Sequence, residues 1–128
     1  MRRLLIIDDD DLLRNSLSLM LGARGFLCTP APNALDGIEQ AEAGQFNVAL
    51  VDINMPGLNG FEVIKALVRI EPRMSVIAMS GRQFDGDLDY AVIATGLGAQ
   101  AFLPKPFRPQ QLLDALEPHP AAVHVSSL

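Results

Sequence analysis

Five short apolar runs, each followed by a helical pattern, constrain the fold of this chain more than any other feature. The runs span residues 4–7, 26–29, 46–51, 76–79 and 101–103. They are too short for helices, and their β-branched residues favour strands. Because the runs are nearly continuous in apolar residues, they predict strands that are buried on both faces. The sequence therefore predicts an α/β fold of five βα units, a doubly wound parallel sheet with helices on both sides.

The segments between the runs carry apolar residues at helical spacing and the signals that begin and end helices. Gly25 is expected at the C′ position of the first helix, and Asn33 is expected to cap the second. Pro30 should end the second strand, a polar loop should cover 82–87, and Pro109 should begin the last helix. The residues predicted to face inward from the second and fourth helices are Leu35, Ile38 and Ala41, and Leu88, Ala91, Val92 and Thr95.

Length and composition favour one domain without a nucleic-acid or membrane function. Apolar residues make up 49% of the 128, which is enough for a core. We assign one domain to 1–117 and expect the tail at 118–128 to fray. The net charge of −5 argues against binding to nucleic acid or anionic membranes. One cysteine, Cys28, and the lack of a long apolar run predict a cytoplasmic protein without disulfide, membrane span or signal peptide.

Chemically active residues follow four of the five predicted strands. Asp8 and Asp9 follow the first, Asp52 the third, Ser80 the fourth and Lys105 the fifth. In a parallel sheet the carboxyl ends of the strands share one edge, which is where open α/β sheets place their sites. We therefore expect three carboxylates, a hydroxyl and an amine to converge in one pocket.

The chemistry of this set points to phosphoryl transfer. Clustered carboxylates repel one another, so either some of them are protonated or a cation holds them together. Oxygen ligands with access to water fit Mg²⁺. Asp52 could act as the nucleophile and form an acyl phosphate, while Mg²⁺ and Lys105 neutralise charge on the phosphoryl oxygens. Ser80 could donate a hydrogen bond to one of those oxygens.

Four separated motifs, in the same order, resemble the receiver domain of two-component response regulators. They read IIDDDDLLR, VDINMPGLNG, AMSG and LPKPF, and the resemblance covers roughly residues 3–117. It implies the flavodoxin-like strand order 2-1-3-4-5. It also implies phosphorylation of Asp52 by a histidine of a sensor kinase or phosphotransfer protein. The resemblance implies that the domain acts on a downstream effector protein or on a fused output domain. It also implies that two copies of the chain could form a homodimer on phosphorylation.

The resemblance also implies a role for individual residues. Mg²⁺ would be held by Asp9, Asp52 and the backbone carbonyl of Asn54, with Asp8 contributing through water.

Three further positions complete the implied machinery. Ser80 and Lys105 would contact the phosphate, and the bond between Lys105 and Pro106 would be cis. Phe102 matches the switch aromatic that turns inward when Ser80 moves.

Three features depart from the family pattern. The loop RQFDGDLD after Ser80 is longer than usual, and its Arg82 and Gln83 could reach the pocket. Phe102 lacks the hydroxyl of a tyrosine, so its switch must work by packing. The last helix is short, which affects the usual output face.

Two alternatives remain at this point. The segment LLIIDDDDL resembles the strand and Asp-x-Asp pattern of haloacid-dehalogenase-like phosphatases, which would make Asp8 the nucleophile. The other alternative is an interaction module that keeps the fold but works without phosphorylation. The intact acidic set argues against that reading, because an unused cluster of carboxylates only lowers stability.

Overall fold

A computed structural model describes residues 2–57 and 59–117, so the tail expected to fray lies outside the described residues. Its main sheet has five parallel strands in the order β2-β1-β3-β4-β7. This confirms the predicted α/β fold and the order 2-1-3-4-5, because β7 is the fifth strand of this sheet. The strands are β1 (Arg2–Ile7), β2 (Phe26–Ala31), β3 (Val48–Asp52), β4 (Ser75–Ser80), β5 (Phe84–Asp85), β6 (Leu88–Asp89) and β7 (Ala101–Pro104).

Helices cover both faces of the sheet and enclose two separate cores. The helices are α1 (Asp11–Gly22), α2 (Ala34–Ala43), α3 (Gly60–Ile70), α4 (Tyr90–Gly96) and α5 (Pro109–Leu116). Leu5 and Ile7 of β1 pack into one core with α2, α3 and α4, whereas Leu4 and Ile6 pack into the other with α1 and α5. Strand β3 is buried along its whole length, as the continuous apolar run predicts. No helix within 2–57 and 59–117 has both the length and the apolar composition to traverse a bilayer.

The prediction that Pro30 ends the second strand is wrong. Strand β2 continues to Ala31, and Pro30 is paired in register with Ile6. Proline is tolerated there because β2 lies at the edge of the sheet, where one side of the strand needs no partner for its N–H groups.

Helix α1 ends earlier than predicted. Its C-cap is Ala23, so Gly25 lies two residues beyond the cap rather than at C′. Gly25 has a φ of 94° and donates its N–H to the carbonyl of Gly22, so it closes the turn that leads into β2.

The buried face of α2 agrees only in part with the predicted one, because Ala41 is buried and Ile38 is half-buried. Asn33 caps the helix as expected, but Leu35 is 62% exposed. The face turned to the sheet is made of Ala34, Gly37 and Ala41. A Cβ atom at Gly37 would overlap the side chain of Ile7, so α2 lies too close to the sheet for large residues on this face.

The segment predicted as a polar loop contains a β-hairpin. Strands β5 and β6 pair antiparallel around Gly86, whose φ of 62° suits the first central position of a type II′ turn. Asp89 then caps α4 by accepting hydrogen bonds from the N–H groups of Ala91 and Val92. This start fixes Tyr90 and Ala94 as the buried residues of α4, whereas the predicted Leu88, Val92 and Thr95 are exposed.

Candidate functional site

The carboxyl ends of four strands meet at one edge of the sheet. Asp8 follows β1, Asp52 ends β3, Ser80 ends β4 and Lys105 follows β7. The Nζ atom of Lys105 lies 2.8 Å from Oδ2 of Asp8 and 3.3 Å from Oδ2 of Asp52. Residues that are far apart in the sequence therefore share one site.

Three carboxylates cluster at this edge. Oxygen atoms of Asp8, Asp9 and Asp52 all lie within 4.8 Å of one another. Asp8 is fully buried and Asp52 is 4% exposed, whereas Asp9 faces solvent. Lys105 is the one cation that forms an ion pair with this cluster among the described residues. With three carboxylates and one ammonium group, the site carries a net charge of about −2 when all four groups are ionised.

Asp8 is held through both its side chain and its backbone. Its Oδ1 accepts the N–H of Asp10 at 2.9 Å, and its backbone carbonyl accepts Nη1 of Arg14 at 2.7 Å. Asp10 also caps α1, because its side chain accepts the N–H of Leu13. The sequence points to Asp10 only as an acidic residue at a helix start. Its spacing of three residues from Leu13, ahead of the apolar stripe, is the signal for the cap.

Burial and neighbouring charges shift the pKa values of Asp52 and Lys105. Burial raises the pKa of the Asp52 carboxyl, and the charge of Asp8 acts in the same direction. The N–H of Asn54, 3.0 Å from Oδ1, and the charge of Lys105 offset part of this effect. For Lys105, burial lowers the pKa, but its hydrogen bond to Asp8 and the charges of Asp52 and Asp8 outweigh burial and raise it. The lysine is therefore a permanent cation of the site at neutral pH.

Ser80 is held by its neighbours rather than by Asp52. The side chain is fully buried. Its Oγ accepts Nδ2 of Asn54 at 2.7 Å and the backbone N–H of Arg82 at 2.9 Å. Its carbonyl accepts the N–H of Lys105 at 2.7 Å. Sequence reasoning assigns only the backbone carbonyl of Asn54, and no local pattern shows that its side chain would reach Ser80.

The remaining predicted residues surround this centre. The peptide bond between Lys105 and Pro106 is cis. Phe102 is half-buried and packs against the core shared by α2, α3 and α4. Arg82 lines a neighbouring cavity of about 540 Å³ beside Asn54, and its backbone N–H donates to Ser80, so the long loop contacts the site through its backbone. Gln83 does not line this cavity, and its carbonyl accepts the N–H of Tyr90.

Comparisons with known proteins agree on one family. Residues 4–117 match the model of the response regulator receiver domain. The chain is 34% identical over 112 residues to the transcriptional regulatory protein FixJ of Bradyrhizobium diazoefficiens, covering 88% of this chain and 53% of FixJ. It is 36% identical over 102 residues to the DNA-binding transcriptional regulator NtrC of Escherichia coli K12, covering 80% of this chain and 21% of NtrC.

One solved structure with the same fold contains a phosphorylated aspartic acid. The crystal structure of a response regulator from Burkholderia pseudomallei, with a phosphorylated aspartic acid, a calcium ion and citrate, has a TM-score of 0.85 at 25% identity. The match covers 99% of this chain and 73% of that one. The chain spans about half the length of FixJ and about a fifth of NtrC, so it corresponds to one part of these regulators.

These findings give no support to the phosphatase alternative. In the structure, both carboxylate oxygens of Asp8 are occupied, Oδ1 by the N–H of Asp10 and Oδ2 by Lys105. The family is in general a phosphoacceptor switch that binds a divalent metal at its acidic pocket and works with kinases and output domains. The chain belongs to the receiver domain family of two-component response regulators.

Proposed function

We propose that Asp52 is the phosphoacceptor, modified by a phosphohistidine of a sensor kinase or phosphotransfer protein in a Mg²⁺-dependent reaction. A carboxylate oxygen of Asp52 would attack phosphorus, and the bond from phosphorus to the imidazole nitrogen would break. The electron pair returns to that nitrogen, and the product is an acyl phosphate on Asp52. The observation that carries the proposal is the buried Asp52 carboxylate beside Lys105 and two more carboxylates.

The acidic cluster fits a divalent cation. Its three carboxylates face one ammonium group, and Asp9 is open to solvent, as a metal that keeps bound water requires. Asp9, Asp52 and the backbone carbonyl of Asn54 would hold the ion, with Asp8 acting through water. Bound Mg²⁺ would neutralise charge that develops on the phosphoryl oxygens.

Lys105 and Ser80 would complete the phosphoryl site from the other side. The Lys105 ammonium forms an ion pair with Asp52 and would form one with a phosphoryl oxygen when negative charge develops there. The Ser80 hydroxyl would donate to another such oxygen. Positioning and electrostatic stabilisation of this kind supply most of the catalysis in phosphoryl transfer.

The modification would act as a switch in a cytoplasmic signalling protein whose receiver spans 1–117. New contacts to the phosphoryl group would draw Ser80 inward, and Phe102 would follow by packing. Moving a two-state equilibrium from 1:99 to 99:1 takes about 5.5 kcal/mol of differential binding. The altered face of α4, β7 and α5 would then bind an effector or output domain, or a second copy of the chain. Since FixJ and NtrC are named as transcriptional regulators, a DNA-binding output is the first to test.

The test is phosphorylation with a small phosphodonor and Mg²⁺, followed by mass spectrometry. The wild type should gain one phosphoryl group, and Asp52→Asn should gain none. Asp87→Asn is the matched control, because it removes a carboxylate from the exposed hairpin turn. Labelling of Asp52→Asn at the wild-type rate would overturn the assignment of the nucleophile. If the wild type neither labels nor binds Mg²⁺ at millimolar concentration, the chain is a phosphorylation-independent module.

A further inference from the structure

The Ser80 hydroxyl has an unusual set of hydrogen bonds for a group that must move. A hydroxyl has two acceptor positions and one donor. Nδ2 of Asn54, at 2.7 Å, and the N–H of Arg82, at 2.9 Å, fill both acceptor positions of Ser80. Within the described parts of the chain, the Ser80 hydrogen has no acceptor. The hydroxyl is thus anchored through its oxygen, and only its donor is left for a new partner.

Asn54 connects this hydroxyl to the reacting carboxylate. Its backbone N–H donates to Oδ1 of Asp52 at 3.0 Å, and its side-chain amide donates to Ser80. One residue therefore holds both groups that must come together on a phosphoryl group. The side-chain bond pulls Ser80 toward residue 54, and Ser80 makes no hydrogen bond with Asp52 among the described residues.

We propose that the side-chain amide of Asn54 is a positioning residue that holds Ser80 in its resting place and opposes its movement onto the phosphoryl group. The inference rests on the proposed function of Asp52. In this proposal, the hydrogen bond from the Asn54 amide to Ser80 sets the balance between the resting and the activated positions of Ser80 before phosphorylation.

The effect of this bond extends beyond the pocket. The second donor to Ser80 is the backbone of Arg82, and the neighbouring Gln83 accepts the N–H of Tyr90, the first residue of α4. These two bonds connect Ser80 to the loop and to the start of α4, so a movement of Ser80 should also move both. Releasing the Asn54 amide should therefore shift α4 as well as Ser80.

Asn54→Leu tests the proposal, because leucine has a similar size and no hydrogen-bonding group. Asn54 is exposed, so the variant leaves no cavity in the core, and its backbone carbonyl is retained for the metal. Losing a hydrogen bond of ordinary strength corresponds to about a fivefold change in an equilibrium. Beryllofluoride with Mg²⁺, a phosphoryl mimic, should thus bind Asn54→Leu about fivefold more tightly. Tyr90, the only tyrosine in a chain without tryptophan, supplies the fluorescence signal.

A second measurement needs no phosphoryl mimic. In amide ¹H–¹⁵N spectra without ligand, the resonances of Ser80, Arg82 and Phe102 in Asn54→Leu should lie part of the way toward their positions in the beryllofluoride complex of the wild type. Gln83→Leu is the matched control, an amide-to-alkyl change in the same loop at a side chain without a hydrogen bond among the described residues. It should leave both the affinity and these resonances unchanged.

A double-mutant cycle isolates the bond between the two residues. In the Ser80→Ala background, Asn54→Leu should no longer tighten beryllofluoride binding. Unchanged resonances and affinity in Asn54→Leu, with or without lower thermal stability, would show that the amide merely satisfies a buried hydroxyl and would overturn the inference. Weaker binding with resonances that move away from the complex would overturn it as well. Failure of the wild type to bind beryllofluoride would instead refute the proposed function.

Discussion

At Asp52, burial outweighs the nearby positive charge, and the pKa of the carboxyl lies above its ordinary value of 3.8. The folded protein thus binds this proton more tightly than the unfolded chain does. Stability from this group is present below pH 3.8 and is lost as the pH rises through 3.8 to the raised pKa. At neutral pH, the ionised Asp52 therefore destabilises the metal-free fold.

Asp52→Asn should accordingly raise the free energy of unfolding in EDTA at pH 7 by about 1–3 kcal/mol, the range for one poorly compensated buried group. Lys105 keeps its partner Asp8 in this variant. The gain should shrink as the pH is lowered toward 4, as measured by urea unfolding at several pH values. Asp87→Asn, in the exposed turn, should show no such gain. A variant that is less stable than the wild type at pH 7 would contradict this electrostatic account.

Sequence reasoning at the scale of single residues succeeds where the strand end decides the position. Asp8, Asp52 and Lys105 each follow or end an apolar run, so the topology alone brings them together. The amide of Asn54 could not be assigned in this way, because its bond to Ser80 depends on the path of the loop after β3. Their sequence separation of 26 residues leaves no periodic signal.

At the scale of elements, the junction between β3 and α3 is closed by a glycine. A Cβ atom at Gly60, the first residue of α3, would overlap the backbone of Ile53, which directly follows Asp52. Backbone cannot move aside as a side-chain end can. Gly60→Ala should therefore lower the free energy of unfolding by about 3 kcal/mol, at the upper end for an overpacked site. It should also weaken beryllofluoride binding, because Asp52 would shift with Ile53.

Gly22→Ala is the control for that measurement. Gly22 is the last residue of α1, and a Cβ atom there would meet nothing within 4 Å. Alanine should leave stability unchanged or raise it by up to about 1 kcal/mol. Equal effects of the two substitutions in thermal unfolding would show that helix propensity, and not the close approach to Ile53, governs Gly60.

The faces of α2 and α4 show why helical spacing alone did not fix which residues are buried. Helical spacing predicts both helices, but it places Leu35 of α2 and Leu88 and Val92 of the predicted fourth helix on the inward faces, and all three are exposed. In α2 the close approach to Ile7 selects the small residues at 34, 37 and 41 and leaves Leu35 outside. In α4 the hairpin delays the start of the helix to Tyr90, which changes the residues that face the sheet. Both outcomes depend on distances between elements, which a single sequence does not encode locally.

For the molecule as a whole, we expect the acidic site to oppose folding when no cation is bound. Asp8, Asp9 and Asp52 come from the ends of two strands and form the cluster only in the folded chain, where one ammonium group faces them. A ligand that binds this cluster binds only the folded state, so it should stabilise the entire domain. A ligand at ten times its dissociation constant adds about 1.4 kcal/mol through mass action. Mg²⁺ should therefore raise the thermal midpoint of the wild type by several degrees over the value in EDTA.

The acidic variants should reverse the order of stability when the metal is added. Asp52→Asn begins from a more stable metal-free state, because one repulsive charge is gone, but it should gain little from Mg²⁺ because a ligand is lost with that charge. Asp9→Asn should also gain less than the wild type, although Asp9 is exposed and its metal-free state should change little. Asp87→Asn should retain the full increment. Thermal midpoints measured over a Mg²⁺ titration give all these increments, and an equal increment in Asp52→Asn and the wild type would place the metal outside this cluster.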